Sequence, residues 1–229
     1  MRYTGLRKVQ IKQNTGLYMK QDFYIFRHGQ TDYNIEKRVQ SFLDIPLNAQ
    51  GIAQAQALAE NLANIKFDCI YSSTLSRALD TAKIVIGNRK IKIITEPGLR
   101  ERNLGMLSGK IMNLTDAPAN TPVDMTKDII DMPATLLFNG DYAPENGETD
   151  KAFIKRVCDT LVKIAINTNA KTIGIATHAG VIGALVRNFT DFNFTGMPNA
   201  EYLRMQFDGK NFSLPEPPKW LLKNNQIAL

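Results

Sequence analysis

The sequence predicts an α/β fold: a three-layer α/β/α sandwich with a mostly parallel central sheet and an insertion. Two observations carry that prediction. Short apolar runs rich in aromatic and β-branched residues alternate with longer segments of helical period. The order is strand then helix, repeated, which argues for helices packed on a parallel sheet. Asp22–Arg27 (DFYIFR) reads as a buried strand running into His28-Gly29. Asn48–Ile65 carries Ile52, Ala55, Leu58, Ala59, Leu62 and Ile65 at helical spacing, opposite a Gln/Glu/Asn face. Asp68–Tyr71 is a second strand. Ser72, Ser73 and Thr74 offer hydroxyl caps for a helix over Leu75–Ile86, which Gly87 would stop.

Ile91–Thr95 alternates as a third strand. The rhythm then breaks: Pro118, Pro122, Pro133 and Pro144 mark an excursion with one short helix near Met125–Phe138. Thr149–Asn167 places Phe153, Val157, Leu161, Ile164 and Ala165 on one helical face. Thr172–Thr177 (TIGIAT) is a buried strand ending at His178, Ala179–Phe189 is helical, and Tyr202–Phe207 is a last strand. The expected organisation is a basic, flexible leader over 1–19, a single domain over 20–214 with a lid insertion at 110–147, and a tail over 215–229 that wraps the surface or frays.

Composition narrows the function classes. At 44% hydrophobic and 22% charged, the chain can bury a core and is not disordered. The net charge of +6 is mostly local: Arg2, Arg7, Lys8, Lys12 and Lys20 sit in the first 20 residues with no acid among them, leaving +1 for the rest. That is a basic leader, or a segment preceding a translation start at Met19, and not a nucleic-acid face. No apolar run reaches the length of a membrane span, and no secretory signal stands at the start. Cys69 and Cys158 lie in apolar segments and read as small buried side chains of a cytoplasmic protein, a bridge between them being possible. Oligomeric state is left as monomer or homodimer.

The chemistry lies with the two histidines, His28 and His178. Each directly follows a predicted buried strand and precedes a small residue, where ligand sites of α/β sheets assemble. Arg27 adjoins the first, and Arg77 falls in the first turn of the helix after the second strand. Two arginines around two imidazoles repel one another unless the site takes a dianion, and guanidinium forks match phosphate oxygens. Amides at the helix starts near Arg77 and at Gly180 would add anion affinity. Glu101, after the third strand, is the candidate acid for a leaving oxygen, because negative charge nearby favours its protonated form. Glu148 opens the long helix, where a carboxylate also suits the dipole.

These blocks, in order, resemble a known family. Arg27-His28-Gly29-Gln30-Thr31 with Asn34, Tyr71–Ala78 with Thr81, Leu99–Gly105 with Gly109, Gly147-Glu148-Thr149 and Thr177–Gly180 are similar to the motifs of the phosphoglycerate mutase-like histidine phosphatase superfamily, branch 1, over roughly Asp22–Phe207. Gln30 stands where the family often has glutamate. The resemblance implies a fold of that type and a small phosphorylated substrate. It implies His28 as a nucleophile forming phosphohistidine, with its other ring nitrogen held by a backbone carbonyl. Arg27, Arg77 and His178 would bind the phosphate, and Glu101 would serve as acid and then base. Thr31, Asn34 and Glu148 would make lesser pocket contacts. No metal or cofactor is expected: two histidines leave too few nitrogen ligands for zinc, and no phosphate loop with Lys-Ser/Thr is present.

The superfamily holds phosphatases, mutases and members without catalysis. A mutase needs extra cations, which its insertion supplies. Here residues 111–147 hold Lys127 and no arginine, against Asp116, Asp124, Asp128, Asp131, Asp141 and Glu145. Phosphatase is therefore favoured over mutase, and the full set Arg27, His28, Arg77, Glu101 and His178 argues against a merely binding module. With Met112, Met125, Met132, Leu136, Leu137 and Phe138, the acidic insertion points to a substrate with an apolar or cationic part.

Overall fold

The computed structural model describes residues 19–138, 140–192, 194 and 196–223. In chain order the elements are β1 (Gln21–Arg27), α1 (Asp32–Ile35), α2 (Ala49–Asn61), β2 (Cys69–Ser72), α3 (Ser76–Ile86), β3 (Lys92–Thr95), β4 (Ile111–Thr115), β5 (Ile129–Pro133), α4 (Ala134–Leu137), α5 (Asp150–Asn167), β6 (Thr172–Thr177), α6 (Ala179–Phe189), β7 (Tyr202–Phe207), β8 (Phe212–Ser213) and α7 (Lys219–Lys223). The main sheet runs β3-β2-β6-β1-β7-β8. Its first four strands are parallel, and β7 is antiparallel to β1 and β8.

Alternation along the strands divides the core in two. Phe23, Ile25, Ile173, Ile175, Leu203 and Met205 face Phe153, Val157 and Leu161 of α5 and Val181, Ile182 and Leu185 of α6. Phe26, Ile70 and Ala176 face Leu58 and Leu62 at α2 and Ala82 and Val85 of α3. The sheet thus lies between two helical layers, as expected. The long α5 forms because its apolar residues recur every three or four positions, and because the Thr149 hydroxyl accepts the Ala152 amide at 3.0 Å. Asn48 caps α2 through the Gly51 amide at 2.8 Å.

Register decides what meets at the sheet's carboxyl edge. Arg27 pairs with Thr177, and the His28 amide donates to the Thr177 carbonyl at 3.0 Å. On the other side of β6, Ser72 pairs with Ala176, and the Ser73 amide donates to the Ala176 carbonyl at 2.9 Å. His28, His178 and Ser73 therefore leave three adjacent strands side by side. Cys69 and Cys158 are free, buried thiols.

Several local expectations change. The cap of α3 is not a hydroxyl: Leu75 occupies the cap position, and the Ser76 amide donates to the Asp44 carboxylate at 2.7 Å. Within 110–147 the segment expected to hold only a short helix forms two parallel strands, β4 and β5, before α4. They enclose a separate core of Leu107, Ile130, Met132 and Leu137. The tail does not fray over its described part: α7 forms, and Leu221 is fully buried in the main core. The leader expected over 1–19 lies outside the described residues except Met19.

The loop after β1 touches the start of α2 backbone to backbone. A Cβ on Gly29 would collide with the Gly51 carbonyl, and one on Gly51 with the backbone of Gln30. Neither wall can yield without moving a main chain. Gly51→Ala should lower unfolding stability in urea by at least about 2 kcal/mol, although alanine gains about 1 kcal/mol of helix propensity. A neutral or stabilising result would contradict this contact.

Candidate active site

His28 is 3% exposed and opens onto a cavity of about 380 Å³. Its Nδ1 lies 2.7 Å from the Gly29 carbonyl oxygen. A carbonyl only accepts, so Nδ1 carries the proton and Nε2 keeps its lone pair. The loop behind the ring is braced at every turn. The Gly29 amide donates to Thr81 Oγ1 at 3.0 Å, the Gln30 amide to Gln54 Oε1 at 2.9 Å, and Asn199 Nδ2 to the His28 carbonyl at 3.1 Å.

His178 is fully buried, its ring centroid 5.2 Å from that of His28. Its Nε2 lies 2.8 Å from Ser73 Oγ, which already accepts the Leu75 amide at 3.3 Å. In the tautomer in which the Ser73 hydroxyl donates to Nε2, Nδ1 of His178 carries the proton and is a donor. That Nδ1 is buried and has no hydrogen-bond partner. Burial above all, then Arg27 and Arg77, holds His28 well below the ordinary histidine range; burial, then Arg77 and His28, does the same for His178. Both rings are neutral near pH 7.

The arginines are held by carbonyls. Arg77, 1% exposed, donates from Nη1 to the Leu43 carbonyl at 2.7 Å and from Nη2 to the Ser41 carbonyl at 3.0 Å. Arg27 donates to the Met197 carbonyl. The Nε atoms of both are buried without a partner. Carbonyls fix the forks without cancelling their charge, so positive potential is kept for a ligand. Burial brings the Arg77 guanidinium down to about 10, still charged at neutral pH.

Glu101 lines the same cavity, with its carboxylate clamped at the start of α6. Oε2 accepts the Gly180 amide at 3.0 Å, and Oε1 accepts the Arg102 amide at 2.8 Å. The helix amides expected to bind an anion are therefore engaged by the protein's own acids: Glu101 takes Gly180, and Asp44 takes Ser76. Behind Glu101, Arg156 donates to the carbonyls of Gly98, Arg100 and Glu101 at 2.9, 3.1 and 3.1 Å, and to Glu148 Oε1 at 2.6 Å. Glu148 Oε1 also accepts the Asn103 amide at 2.8 Å.

Arg27, His28, Arg77, Glu101 and Asn34 meet at the cavity, and the His178 ring lies 5.2 Å from that of His28. Two expected pocket contacts lie elsewhere. Thr31 is fully buried as the cap of α1, in a reciprocal capping box with Asn34. Glu148 is spent on Arg156 and the 98–103 loop and does not line the cavity.

A family model for the histidine phosphatase superfamily (branch 1) matches residues 23–216. The chain belongs to that superfamily. It is 31% identical over 169 residues to phosphoglycerate mutase-like protein 4 of Arabidopsis thaliana, covering 72% of this chain and 69% of that one. It is 30% identical over 181 residues to the fructose-2,6-bisphosphatase TIGAR of Xenopus tropicalis, covering 74% of this chain and 61% of that protein. Among solved structures, a mycobacterial glucosyl-3-phosphoglycerate phosphatase superposes with a TM-score of 0.68 at 26% identity, covering 85% of this chain and 96% of that one. A phosphoglycerate mutase of Bacillus anthracis gives 0.74 at 22% identity, covering 88% and 94%, which shows the fold alone. The superfamily includes phosphatases and mutases. Among the described residues no helix is long and apolar enough to cross a membrane.

In this superfamily member the insertion does not carry the charge expected of it. None of its six acids lines the cavity; Met112, Leu137 and Phe138 do. Asp128 instead pairs with Arg38 at 2.9 Å, and Asp131 accepts from Asn113 at 3.1 Å. Arginines reach the cavity wall from other segments: Arg187 from α6, Arg38 paired with Asp128, and Arg102 paired with Asp150. The cavity wall is drawn from several segments besides the insertion. Ser41, Ser73, Gln54, Arg156 and Asn199 also brace the site, although the sequence does not single them out as site residues. Ser73 alone had a signal, its place at a strand end.

Two outcomes follow from this geometry. Below about pH 6.5 an unfolded chain protonates histidines that the native, ligand-free site keeps neutral, so the unfolded state binds more protons. The ligand-free protein should lose melting temperature between about pH 7.5 and 5.5, and inorganic phosphate should shrink that loss by favouring imidazolium. A flat profile would contradict the neutral assignment. Arg156→Lys keeps the charge but not the fork that holds three carbonyls. Its turnover on a phosphate ester should drop by about ten-fold or more with KM nearly constant, while circular dichroism stays native.

Proposed function

We propose that the chain is a metal-independent phosphomonoesterase that hydrolyses a small phosphate ester through phosphohistidine on His28. The observation that carries this reading is the fixed tautomer of His28: Nδ1–H donates to the Gly29 carbonyl, and the ring is held neutral by its burial beside two arginines. A neutral Nε2 lone pair facing a cavity with uncancelled guanidiniums is a nucleophile set for phosphorus.

In the first step Nε2 attacks phosphorus, the ester P–O bond breaks, and Glu101 gives its proton to the leaving oxygen. Arg27, Arg77 and the Nδ1–H of His178 donate to the three equatorial oxygens of the transferring group, where transition-state charge spreads. In the second, the Glu101 carboxylate takes a proton from water, the water oxygen attacks phosphorus, and the P–N bond breaks to release inorganic phosphate. Relatives named as a fructose-2,6-bisphosphatase and a glucosyl-3-phosphoglycerate phosphatase accord with water as the acceptor.

A second reading, phosphoryl transfer to another substrate oxygen as in a mutase, is favoured by one observation: Arg187 adds a cation to the cavity wall. Interconversion of the phosphoglycerate isomers stimulated by bisphosphoglycerate would establish it.

The test is a phosphate-ester panel run with chelator. Turnover should survive chelation, and His28→Ala should lose about a thousand-fold or more. Rapid quenching should trap an acid-labile, base-stable phosphoryl label on the wild type alone. Glu101→Gln should cost far more on an alkyl phosphate than on para-nitrophenyl phosphate, whose leaving group needs no proton. Activity that vanishes with chelator would sink the metal-free claim, and an active His28→Ala the nucleophile.

A further inference from the structure

The face of α6 that meets the cavity is almost bare of side chains. Ala179, Gly180 and Gly183 lie on it, and only Arg187, two turns from the helix start, reaches back over it. A Cβ on Gly180 would strike the Glu101 carboxylate. A Cβ on Gly183 would lie 3.0 Å from Arg187 Nη1 and 2.7 Å from the Phe194 ring. Residues three apart on a helix are neighbours, about 5–6 Å between Cβ positions. The Glu101 carboxylate therefore rests on one glycine, and the Arg187 guanidinium and the Phe194 ring on the next along the same helix face, and all three residues line the same cavity.

We infer that Arg187 is a specificity-determining residue: it receives a second anionic group, carboxylate or phosphate, carried by the leaving group of the substrate within about one helical turn of the ester oxygen. This rests on the proposed role of Glu101 at the leaving oxygen. The group that Glu101 protonates must continue along α6, because the phosphate end is closed by Arg27, His28 and Arg77. The first side chains it meets there are a planar cation and an aromatic face. Across the cavity stand Leu137, Phe138 and Phe153, which suit an apolar flank. The acids of the lining do not favour a cation: Glu101 is held by two amides, and Asp150 pairs with Arg102 at 3.3 Å. The sequence-based expectation of a cationic substrate portion is thereby replaced by an anionic one.

Calorimetric binding of two non-hydrolysable probes, benzylphosphonate and its meta-carboxylated analogue, tests this on the full chain without turnover. The wild type should bind the carboxylated probe about ten-fold more tightly. Arg187→Ala should bring that ratio to about one, and Arg187→Glu should invert it in favour of an aminomethylated analogue. Arg187 is exposed at the end of α6, so these variants should fold, with circular dichroism as the check. A wild type with no preference, a preference that survives Arg187→Ala, or failure of the probes to bind would each overturn the inference. A protein that shows the Arg187-dependent preference yet hydrolyses no ester would instead count against the phosphatase reading. Hydrolysis without the preference would count against this one alone.

Discussion

Two guanidiniums and two imidazoles share one end of the sheet with the Glu101 carboxylate, and most of the surrounding structure answers to that concentration of positive charge. Charged together in a dry interior, the four groups would repel one another at a cost of several kcal/mol. The fold avoids this in two ways. Both imidazoles stay neutral. Both guanidiniums are steadied by carbonyls of Met197, Ser41 and Leu43, dipoles that fix direction while leaving net charge in place. Even the helix starts comply, their amides being engaged by Glu101 and Asp44.

That arrangement leaves Nε of Arg27, Nε of Arg77 and Nδ1 of His178 buried without partners. Buried donors without acceptors are costly, commonly about 1–3 kcal/mol each. In an ordinary core they would be faults. Around a phosphate cavity they are donors whose desolvation is complete before a ligand arrives, so acceptor oxygens gain the full bond. Bracing by Thr81, Gln54 and Asn199 keeps the His28 loop from relaxing toward them.

Much of this was legible in the sequence, for identifiable reasons. β1, β2 and β6 are short, uninterrupted apolar runs, and α5 and α6 have apolar stripes that no other period explains. The strand-end positions of His28 and His178 follow from those runs. What was not legible depends on pairing across the chain. Nothing local in Arg156 announces that it holds three carbonyls of the Glu101 loop, and nothing in Glu148 distinguishes a phosphate contact from a partner for Arg156. Gly51 sits in a segment that reads as helix, while its lack of a side chain serves Gln30, twenty-one positions earlier. The insertion misled for a related reason: its β4–β5 pairing is long-range, and its acids point away from the cavity that their number seemed to describe.

The backbone hydrogen bond from His28 to Thr177 spans almost the whole domain. By the time β2, α3 and the Glu101 loop have emerged from a ribosome, Arg27, His28, Arg77 and Glu101 have all been synthesised, yet the slot beside β1 is empty until β6 arrives. Because β6 is central and parallel to both its neighbours, its absence separates β1 from β2 and leaves two fragments of sheet. Parallel pairing at such separation is slow to form, since loop-closure entropy precedes any reward. Assembly of the cavity end is thus a late event in this chain's folding. An incompletely made or proteolytically shortened copy holds four of the five cavity-end residues but lacks the strand that brings them to one edge.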